Sequence, residues 1–196
     1  MKRLGIMGGV FDPIHCGHLF TAEEARVEFK LDKVIFIPCR QPAHKRKNDI
    51  SAPEDRYLMT ILATSNNQFF EVSKVELSRP GPSYSIDTVK EFLKKYNHEV
   101  KIFFITGADA FLEVDSWYKS KELIKLCQFV AATRPGYDLS KLDKKFKKII
   151  KIMEIPALST SSTDIRRRVR EGKSIKYLLP QEVEKYIYQK RLYCKM

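Results

Sequence analysis

Continuous apolar runs of strand length, separated by amphipathic helical patterns, constrain the fold of this chain more than any other feature of its sequence. Four such runs span residues 4–7, 34–37, 102–106 and 129–133, and residues 149–155 are expected to form the last strand. Unbroken hydrophobicity, instead of alternation with polar residues, is typical of strands that are covered on both faces, as in a parallel sheet. The sequence therefore predicts an α/β fold: a doubly wound, Rossmann-like parallel sheet with helices on both faces.

Helical spacing of apolar residues predicts the elements between the strands. The expected apolar faces consist of Leu19, Ala22, Ala25 and Phe29, of Leu58, Ile61 and Leu62, and of Val89, Phe92, Leu93 and Tyr96. A capping-box pattern at residues 51–54 predicts where the second of these helices begins. Two C-terminal helices are expected as well, one from about residue 162 to 171 and ended by Gly172, the other begun by Pro180.

The 196 residues include no internal repeat, linker or low-complexity segment, and their number suits one domain with a sizeable core. We predict a single domain over residues 1–196, with a core at about 3–160 and appended C-terminal helices at about 161–190. No stretch approaches the roughly 20 apolar residues that a membrane span needs, and the N-terminal apolar run is too short for a signal peptide. A cytoplasmic protein without a membrane partner is therefore expected. The sequence leaves open whether the chain forms a homo-oligomer.

The four cysteines, Cys16, Cys39, Cys127 and Cys194, are widely scattered and form no C-x-x-C pair. A disulfide framework is typical of shorter secreted chains that are richer in cysteine. We interpret all four as reduced thiols without a role in metal binding.

The formal net charge of +12 favours polyanionic or anionic partners: nucleic acid, a membrane surface or small anionic substrates. Residues 141–151 carry six lysines and one aspartate, which is typical of a solvated surface. Two other basic clusters, at residues 45–47 and 166–168, lie beside motifs that carry chemistry.

The segment GGVFDPIHCGH, residues 8–18, follows the first apolar run directly. In a doubly wound sheet this position is the carboxyl end of a strand, where ligands bind. Gly8 and Gly9 allow the backbone amides to approach a phosphate closely, and His18 falls at the N-terminus of a helix, which favours anions. The segment predicts a phosphate-binding loop; the alternative is a tight turn with two incidental histidines.

GGVFDPIHCGH resembles the G-x-F-D-P-x-H-x-G-H signature of the nucleotidylyltransferase superfamily. Further matching segments occur in order: PAHK at 42–45, RPGPSYSIDT at 79–88, GAD at 107–109, WY at 117–118 and SSTDIR at 161–166. Together they are similar to the bacterial nicotinate mononucleotide adenylyltransferases, from residue 3 to about residue 188. The H-x-G-H element is shared by several families, whereas its combination with GPSYSIDT and GADAFLEVDSWY is specific.

The resemblance implies an ATP site and a mononucleotide site. ATP binding is expected from Gly8, Gly9, Val10, Phe11, His15, His18, Gly107, Asp109, Ser161, Ser162 and Arg166. The mononucleotide is expected to contact His44, Lys45, Tyr84, Ser85, Asp109, Trp117 and Tyr118. Of these residues, His15, His18 and Arg166 are the implied catalytic groups, since they would stabilise the charge that develops on pyrophosphate.

Several of these residues also have structural interpretations. Ser162 or Thr163 suits a plain N-cap, and Asp109 suits the N-cap of a helix starting at Ala110. Trp117, the only tryptophan, would stack on the pyridine ring if the resemblance holds, or pack on the core. Lys45 suits a solvated loop position.

Two positions depart from the family pattern. Val10 stands where threonine or serine is common, so that a side-chain hydroxyl contact is lost while the backbone amide remains. Thr160 replaces an isoleucine before the serines, and a change in packing is expected there.

The implied reaction transfers AMP from ATP to nicotinate mononucleotide, giving nicotinic acid adenine dinucleotide and pyrophosphate on the route to NAD. Mg²⁺ is expected to arrive with ATP, and no protein ligand to a metal is predicted. Dual use of nicotinate and nicotinamide mononucleotide, or another phosphate monoester such as phosphopantetheine, is the alternative within the superfamily, as is cytidylyl transfer. A basic nucleic-acid-binding module is the alternative from another class. It is disfavoured, because residues 141–151 interleave only one aromatic residue, Phe146, with the lysines.

Overall fold

The computed structural model describes residues 1–41, 50–133, 150–156 and 160–194. Six strands are present in these ranges: β1 (Lys2–Gly9), β2 (Lys33–Pro38), β3 (Phe70–Val72), β4 (Val100–Gly107), β5 (Gln128–Thr133) and β6 (Ile150–Glu154). They form one parallel sheet in the order β3-β2-β1-β4-β5-β6. The strand order reverses between β1 and β4, so the predicted doubly wound parallel sheet is confirmed.

Helices connect the strands and extend the chain beyond the last one. They are α1 (Cys16–Glu28), α2 (Pro53–Thr64), α3 (Val75–Ser78), α4 (Ser85–Lys95), α5 (Ala108–Leu112), α6 (Ser120–Leu126), α7 (Ser162–Arg170) and α8 (Gln181–Gln189). A 3₁₀ turn at Val114–Ser116 follows α5. None of the helices in the described ranges has the length and apolar character needed to span a membrane.

Two hydrophobic clusters cover the two faces of the sheet. In β2, Ile35 and Ile37 belong to one cluster, whereas Val34 and Phe36 belong to the other. Helices α4, α5 and α6 contribute to the first cluster, and α1, α2, α7 and α8 contribute to the second. Both faces of the strand are buried, which explains why its hydrophobicity is continuous.

The buried face of α2 differs from the predicted one. Leu58 is 43% exposed, while Arg56, Met59 and Thr60 are buried. Hydrogen bonds make this polar burial tolerable: the Thr60 hydroxyl donates to the carbonyl of Arg56 over 2.7 Å, and the guanidinium binds carbonyl groups outside the helix. The prediction was therefore wrong for Leu58, whereas Leu62 is partly buried and packs against the second cluster. A pattern based on apolar residues alone could not find the buried Arg56 and Thr60.

The N-terminus of α2 also differs from the predicted capping box. The N-cap residue is Ala52, Pro53 is the first helical residue, and no side chain caps the helix. The backbone amide of Ser51 donates instead to the Asp12 carboxylate, over 3.3 Å. The residue expected to cap the helix therefore connects it to the 8–18 segment.

Candidate active site

A cleft of about 550 Å³ opens at the carboxyl ends of the central strands, around the point where the strand order reverses. Seven residues predicted to bind ATP line it: Gly8, Gly9, Phe11, His15, His18, Gly107 and Asp109. Its wall also includes residues that the sequence analysis did not assign, among them Thr21, Thr106, Thr133, Ile155, Pro156 and Thr160. Thr106 and Thr133 lie at the carboxyl ends of β4 and β5, and Ile155 directly follows β6. The rule that ligands bind at the carboxyl ends of strands could therefore have indicated all three.

His15 and His18 form a stacked pair at the start of α1, with ring centroids 3.8 Å apart and planes inclined by 30°. His15 is the N-cap residue, and its backbone amide donates to Nδ1 of His18 over 3.2 Å. Because Nδ1 of His18 is the acceptor, a neutral imidazole carries its proton on Nε2. His18 therefore provides an N–H donor on the wall of the cleft.

Burial keeps both imidazoles neutral. It lowers the pKa of His15 to about 4, and it lowers the pKa of His18 to about 3 with a further contribution from the adjacent His15. At neutral pH the pair therefore offers hydrogen-bond donors and no formal charge.

Two glycines of the segment lie close to aromatic side chains. A Cβ at Gly17 would lie 3.0 Å from Nδ1 of His15, and a Cβ at Gly9 would lie 3.0 Å from the ring of Phe11. Phe11 itself has a left-handed φ of 50° and contacts His18 edge-on, with ring centroids 5.2 Å apart. The glycines thus allow the aromatic rings of the segment to pack directly on its backbone.

The start of α7 is hydrogen-bonded to the same segment. Ser162 donates from its hydroxyl to the carbonyl of Pro13 over 2.8 Å, and Arg166 donates from Nη1 to the carbonyl of Asp12 over 2.8 Å. Ser161 is the N-cap, and its hydroxyl oxygen accepts from the amide of Asp164. The N-cap interpretation thus applies to Ser161, one residue before the positions considered for it. The structure brings two predicted anion-binding elements together, α1 and α7.

Asp109 lies on the cleft in the first turn of α5. That helix begins at Ala108 with Gly107 as its N-cap, so the alternative interpretation of Asp109 as an N-cap was wrong. Its exposed carboxylate remains available to a ligand.

The aromatic residues predicted to bind the mononucleotide form a cluster separate from the lining of the cleft. The rings of Tyr84 and Tyr118 lie 4.6 Å apart, and Trp117 packs edge-on against Phe104 at 5.9 Å. Phe104 lies near both regions, since a Cβ at Gly8 would lie 3.9 Å from Cζ of Phe104. In this structure the contacts of the indole are those of a half-buried core residue.

Ser85 is the first residue of α4, and Tyr84 is its N-cap, so the backbone amides of both lie at a helix start. The preceding Ser83 ties this start to the end of β2: its hydroxyl accepts from the amide of Arg40, and its amide donates to the carbonyl of Gln41. His44 and Lys45 lie outside the described residues.

Sequence reasoning missed Arg56, which is 1% exposed. Its guanidinium donates to three backbone carbonyls: that of Val10 over 2.8 Å, that of Ser51 over 3.0 Å and that of Arg40 over 3.2 Å. It thereby joins the ends of β1 and β2 to the start of α2. No side-chain pattern indicates such a role, because all three partners are backbone carbonyls, two of them 16 and 46 residues away.

The chain was compared with known proteins. A family model described as cytidylyltransferase-like matches residues 6–168. The chain is 55% identical over 200 residues to a probable nicotinate-nucleotide adenylyltransferase of Thermoanaerobacter sp. (strain X514), covering 98% of this chain and 95% of that one. It is 52% identical over 198 residues to a protein of the same name from Moorella thermoacetica, covering 97% and 91%. The fold is similar, with a TM-score of 0.81 and 20% identity over 98% of both chains, to a Plasmodium falciparum nicotinic acid mononucleotide adenylyltransferase complexed with NaAD.

Proposed function

The chain belongs to the cytidylyltransferase-like family and, within it, to the nicotinate-nucleotide adenylyltransferases, and on this premise we propose how its residues transfer AMP from MgATP to nicotinate mononucleotide. The products are nicotinic acid adenine dinucleotide, a precursor of NAD, and pyrophosphate. The observation that carries the proposal is the pair of closely packed imidazoles of His15 and His18, which line the cleft at the N-terminus of α1 with ring centroids 3.8 Å apart.

The attacking group needs no protein base. A phosphate monoester has a second pKa near 6, so it is largely a dianion at neutral pH and can attack the α-phosphorus of ATP directly. A phosphate oxygen of the mononucleotide forms a P–O bond to the α-phosphorus, which creates the phosphoanhydride of the dinucleotide. The bond from that phosphorus to the pyrophosphate oxygen breaks at the same time, and its electron pair leaves with pyrophosphate. The enzyme has to align two anions and stabilise the leaving group.

We assign the stabilisation of the leaving group to His15, His18 and Arg166. The Nε2–H of His18 would donate to a phosphate oxygen, helped by the partial positive charge at the start of α1. Arg166 would supply the formal positive charge that the neutral imidazoles lack, from a helix already bonded to the same segment. Ser161 and Ser162 would complete this anion site, and Mg²⁺ would enter as part of the substrate, held by triphosphate oxygens and water.

The remaining residues of the ATP site would hold the nucleotide by backbone groups and a carboxylate. Gly8, Gly9, Val10 and Phe11 would present backbone amides. Gly107 would allow close approach, since no atom of the described residues lies within 4 Å of a Cβ placed there. Asp109, exposed on the cleft, would accept hydrogen bonds from ribose hydroxyl groups.

The mononucleotide would lie beside the aromatic cluster. Amides at the start of α4, at Tyr84 and Ser85, would bind the nicotinate carboxylate, with favourable helix polarity. Trp117 and Tyr118 would contact the pyridine ring, and Asp109 would contact the ribose. His44 and Lys45 would bind the phosphate group of the mononucleotide.

Pyrophosphate release tests the proposed function. The enzyme is incubated with ATP and Mg²⁺ and, in parallel, with nicotinate mononucleotide, nicotinamide mononucleotide or phosphopantetheine. Preferential turnover of the nicotinate form is expected. Equal use of both pyridine nucleotides would contradict the carboxylate site at α4, and no turnover with either would contradict the function.

The His18→Ala variant tests the assignment of the imidazole in the same assay. The kcat should fall by roughly 100- to 1000-fold, as on removal of one preorganised donor, while the KM for the mononucleotide changes little. His98→Asn is the control, because His98 is exposed in the turn before β4 and its left-handed φ of 61° suits asparagine. An unchanged kcat of His18→Ala would exclude the assigned role.

A further inference from the structure

Asp12 lies in the middle of the 8–18 segment, is 3% exposed and has no role in the proposed reaction. Its carboxylate is held by two groups from outside the segment. The hydroxyl of Tyr193 donates to Oδ1 over 2.6 Å, and the amide of Ser51 donates to Oδ2 over 3.3 Å. A hydrogen bond of 2.6 Å between a hydroxyl and a carboxylate belongs to the short, charge-assisted class.

Tyr193 is placed for this contact by its surroundings. Its side chain packs against the second hydrophobic cluster, and its φ of 65° lies in the left-handed region, which is unfavourable for a large side chain. Immediately before it, the amide of Leu192 donates to the carbonyl of Ile187 and closes the end of α8. Burial, together with the Asp12 charge, raises the pKa of Tyr193, so that the phenol remains a donor.

Other C-terminal residues bind the same short stretch. Arg166 and Ser162 donate to the carbonyls of residues 12 and 13, and the amide of Cys16 donates to the carbonyl of Leu178 over 3.0 Å. Residues 12, 13 and 16, which flank His15 on both sides, are thus each bonded to the part of the chain beyond residue 160. Among these contacts, only the one made by Tyr193 binds a charged side chain of the 8–18 segment, the carboxylate of Asp12. The others bind its backbone.

We propose that Tyr193 is a positioning residue for adenylyl transfer, which through the Asp12 carboxylate fixes the loop that carries His15 and His18. The inference rests on the proposed function. Its physical basis is that catalysis by preorganised donors depends steeply on their placement: a shift of about 1 Å can cost roughly 100-fold in rate. The side chain acts at a distance from the substrate and would touch neither nucleotide.

The matched variants Tyr193→Phe and Tyr186→Phe test the proposal. Tyr186 lies in α8, and its hydroxyl donates to Oδ1 of Asp55 in α2 over 2.7 Å, so each variant removes one phenol hydroxyl from one carboxylate. Only the first of these carboxylates belongs to the 8–18 segment. Tyr193→Phe should lower the kcat roughly tenfold and leave the KM for nicotinate mononucleotide within about twofold, whereas Tyr186→Phe should leave both unchanged.

Kinetics are measured at a temperature at which circular dichroism shows both variants to be fully folded, and only after the wild-type enzyme has shown turnover. Failure of the proposed function then appears as an inactive wild type, distinct from failure of this inference. A Tyr193→Phe enzyme with wild-type kcat, or equal losses in both variants, would overturn the proposal.

A double-mutant cycle with Asp12→Ala provides a second readout. If Tyr193 acts through Asp12, adding Tyr193→Phe to Asp12→Ala should cause no further loss of kcat. A full additional tenfold loss would show that the hydroxyl acts by another route and would overturn the proposal. Because the cycle compares rates among folded proteins, a role in stability alone would not produce the expected pattern.

Discussion

At the scale of single residues, the unusual property of the site is that desolvation lowers the pKa of both His15 and His18, which favours their neutral forms before any substrate arrives. An imidazolium there would have to be desolvated without a carboxylate partner, which is unfavourable. A neutral N–H donor avoids this cost and could still form a hydrogen bond to a triphosphate oxygen, which the negative charge of the triphosphate strengthens. The partial positive charge at the N-terminus of α1 also attracts the triphosphate.

The depressed pKa values predict how stability depends on pH. Both folded-state values, about 4 and about 3, lie below the ordinary value of 6.5, so the unfolded chain binds more protons once the pH drops below about 6.5. The free energy of unfolding should therefore fall as the pH is lowered from about 6.5 to about 3, and the contribution of these groups is constant above that range.

Urea unfolding at several pH values measures this effect, with a His15→Asn/His18→Asn double variant as the comparison. The variant should show a flatter dependence between pH 6.5 and pH 4 than the wild-type protein. Identical slopes would mean that the two imidazoles titrate normally in the folded state.

At the residue level, the sequence indicates candidate site residues where these are contiguous in the chain. Residues 8–18 could be found because the glycines and histidines stand in one fixed spacing. Arg56 and Tyr193 could not, because their partners are a set of backbone carbonyls and a carboxylate 181 residues away. The roles of the assigned substrate-binding residues stay predictions.

At the scale of elements, the connection from β1 to α1 determines the site, and the glycines of β1 differ sharply in what surrounds them. A Cβ at Gly5 would lie 2.9 Å from Leu31, 3.0 Å from Ile105 and 3.1 Å from Val34. A Cβ at Gly8 would make one ordinary contact, at 3.9 Å, with Phe104. Gly5 therefore belongs to the packed core, whereas Gly8 has free space beside it at the end of the strand.

Alanine substitutions at these two glycines should therefore have opposite consequences. Gly5→Ala should lower the free energy of unfolding by about 1–3 kcal/mol through overpacking. Gly8→Ala should leave stability within about 0.5 kcal/mol and instead raise the KM for ATP, since Gly8 lines the cleft. Urea unfolding and steady-state kinetics on the matched pair check both; comparable destabilisation by the two substitutions would contradict the packing argument.

The long, strongly patterned elements were predictable, including β1, β2, β4, β5, α1 and α4. The short ones were not: β3 has three residues, α3 has four and α5 has five. Fewer than two helical turns cannot display a period, so these elements form because the surrounding sheet orders them. The face of α2 was mispredicted for a different reason, the burial of an arginine satisfied by carbonyl groups.

At the scale of the whole molecule, the helices beyond residue 160 complete the core. Ile165, Val169, Val183 and Ile187 belong to the same cluster as Ala22 of α1 and Met59 of α2. On this basis we propose that residues 1–196 unfold as a single cooperative domain. The two faces of the sheet would then lose their structure together.

Two probes can test this cooperativity. Trp117 is the only tryptophan and packs against the first cluster, so its fluorescence reports on the face opposite α7 and α8. Far-UV circular dichroism reports on all helices. The two urea transitions should coincide in midpoint; a dichroism transition that precedes the fluorescence transition would indicate that the C-terminal helices unfold separately.

The bonds from residue 12 to residues 166 and 193 span 154 and 181 positions of the chain. Contacts of such separation form late, because a long loop has to close before they contribute any free energy. During synthesis the 8–18 segment leaves the ribosome well before the residues that fix its shape. Enzymatic activity should consequently appear in the final phase of folding, after the sheet and its secondary structure have formed.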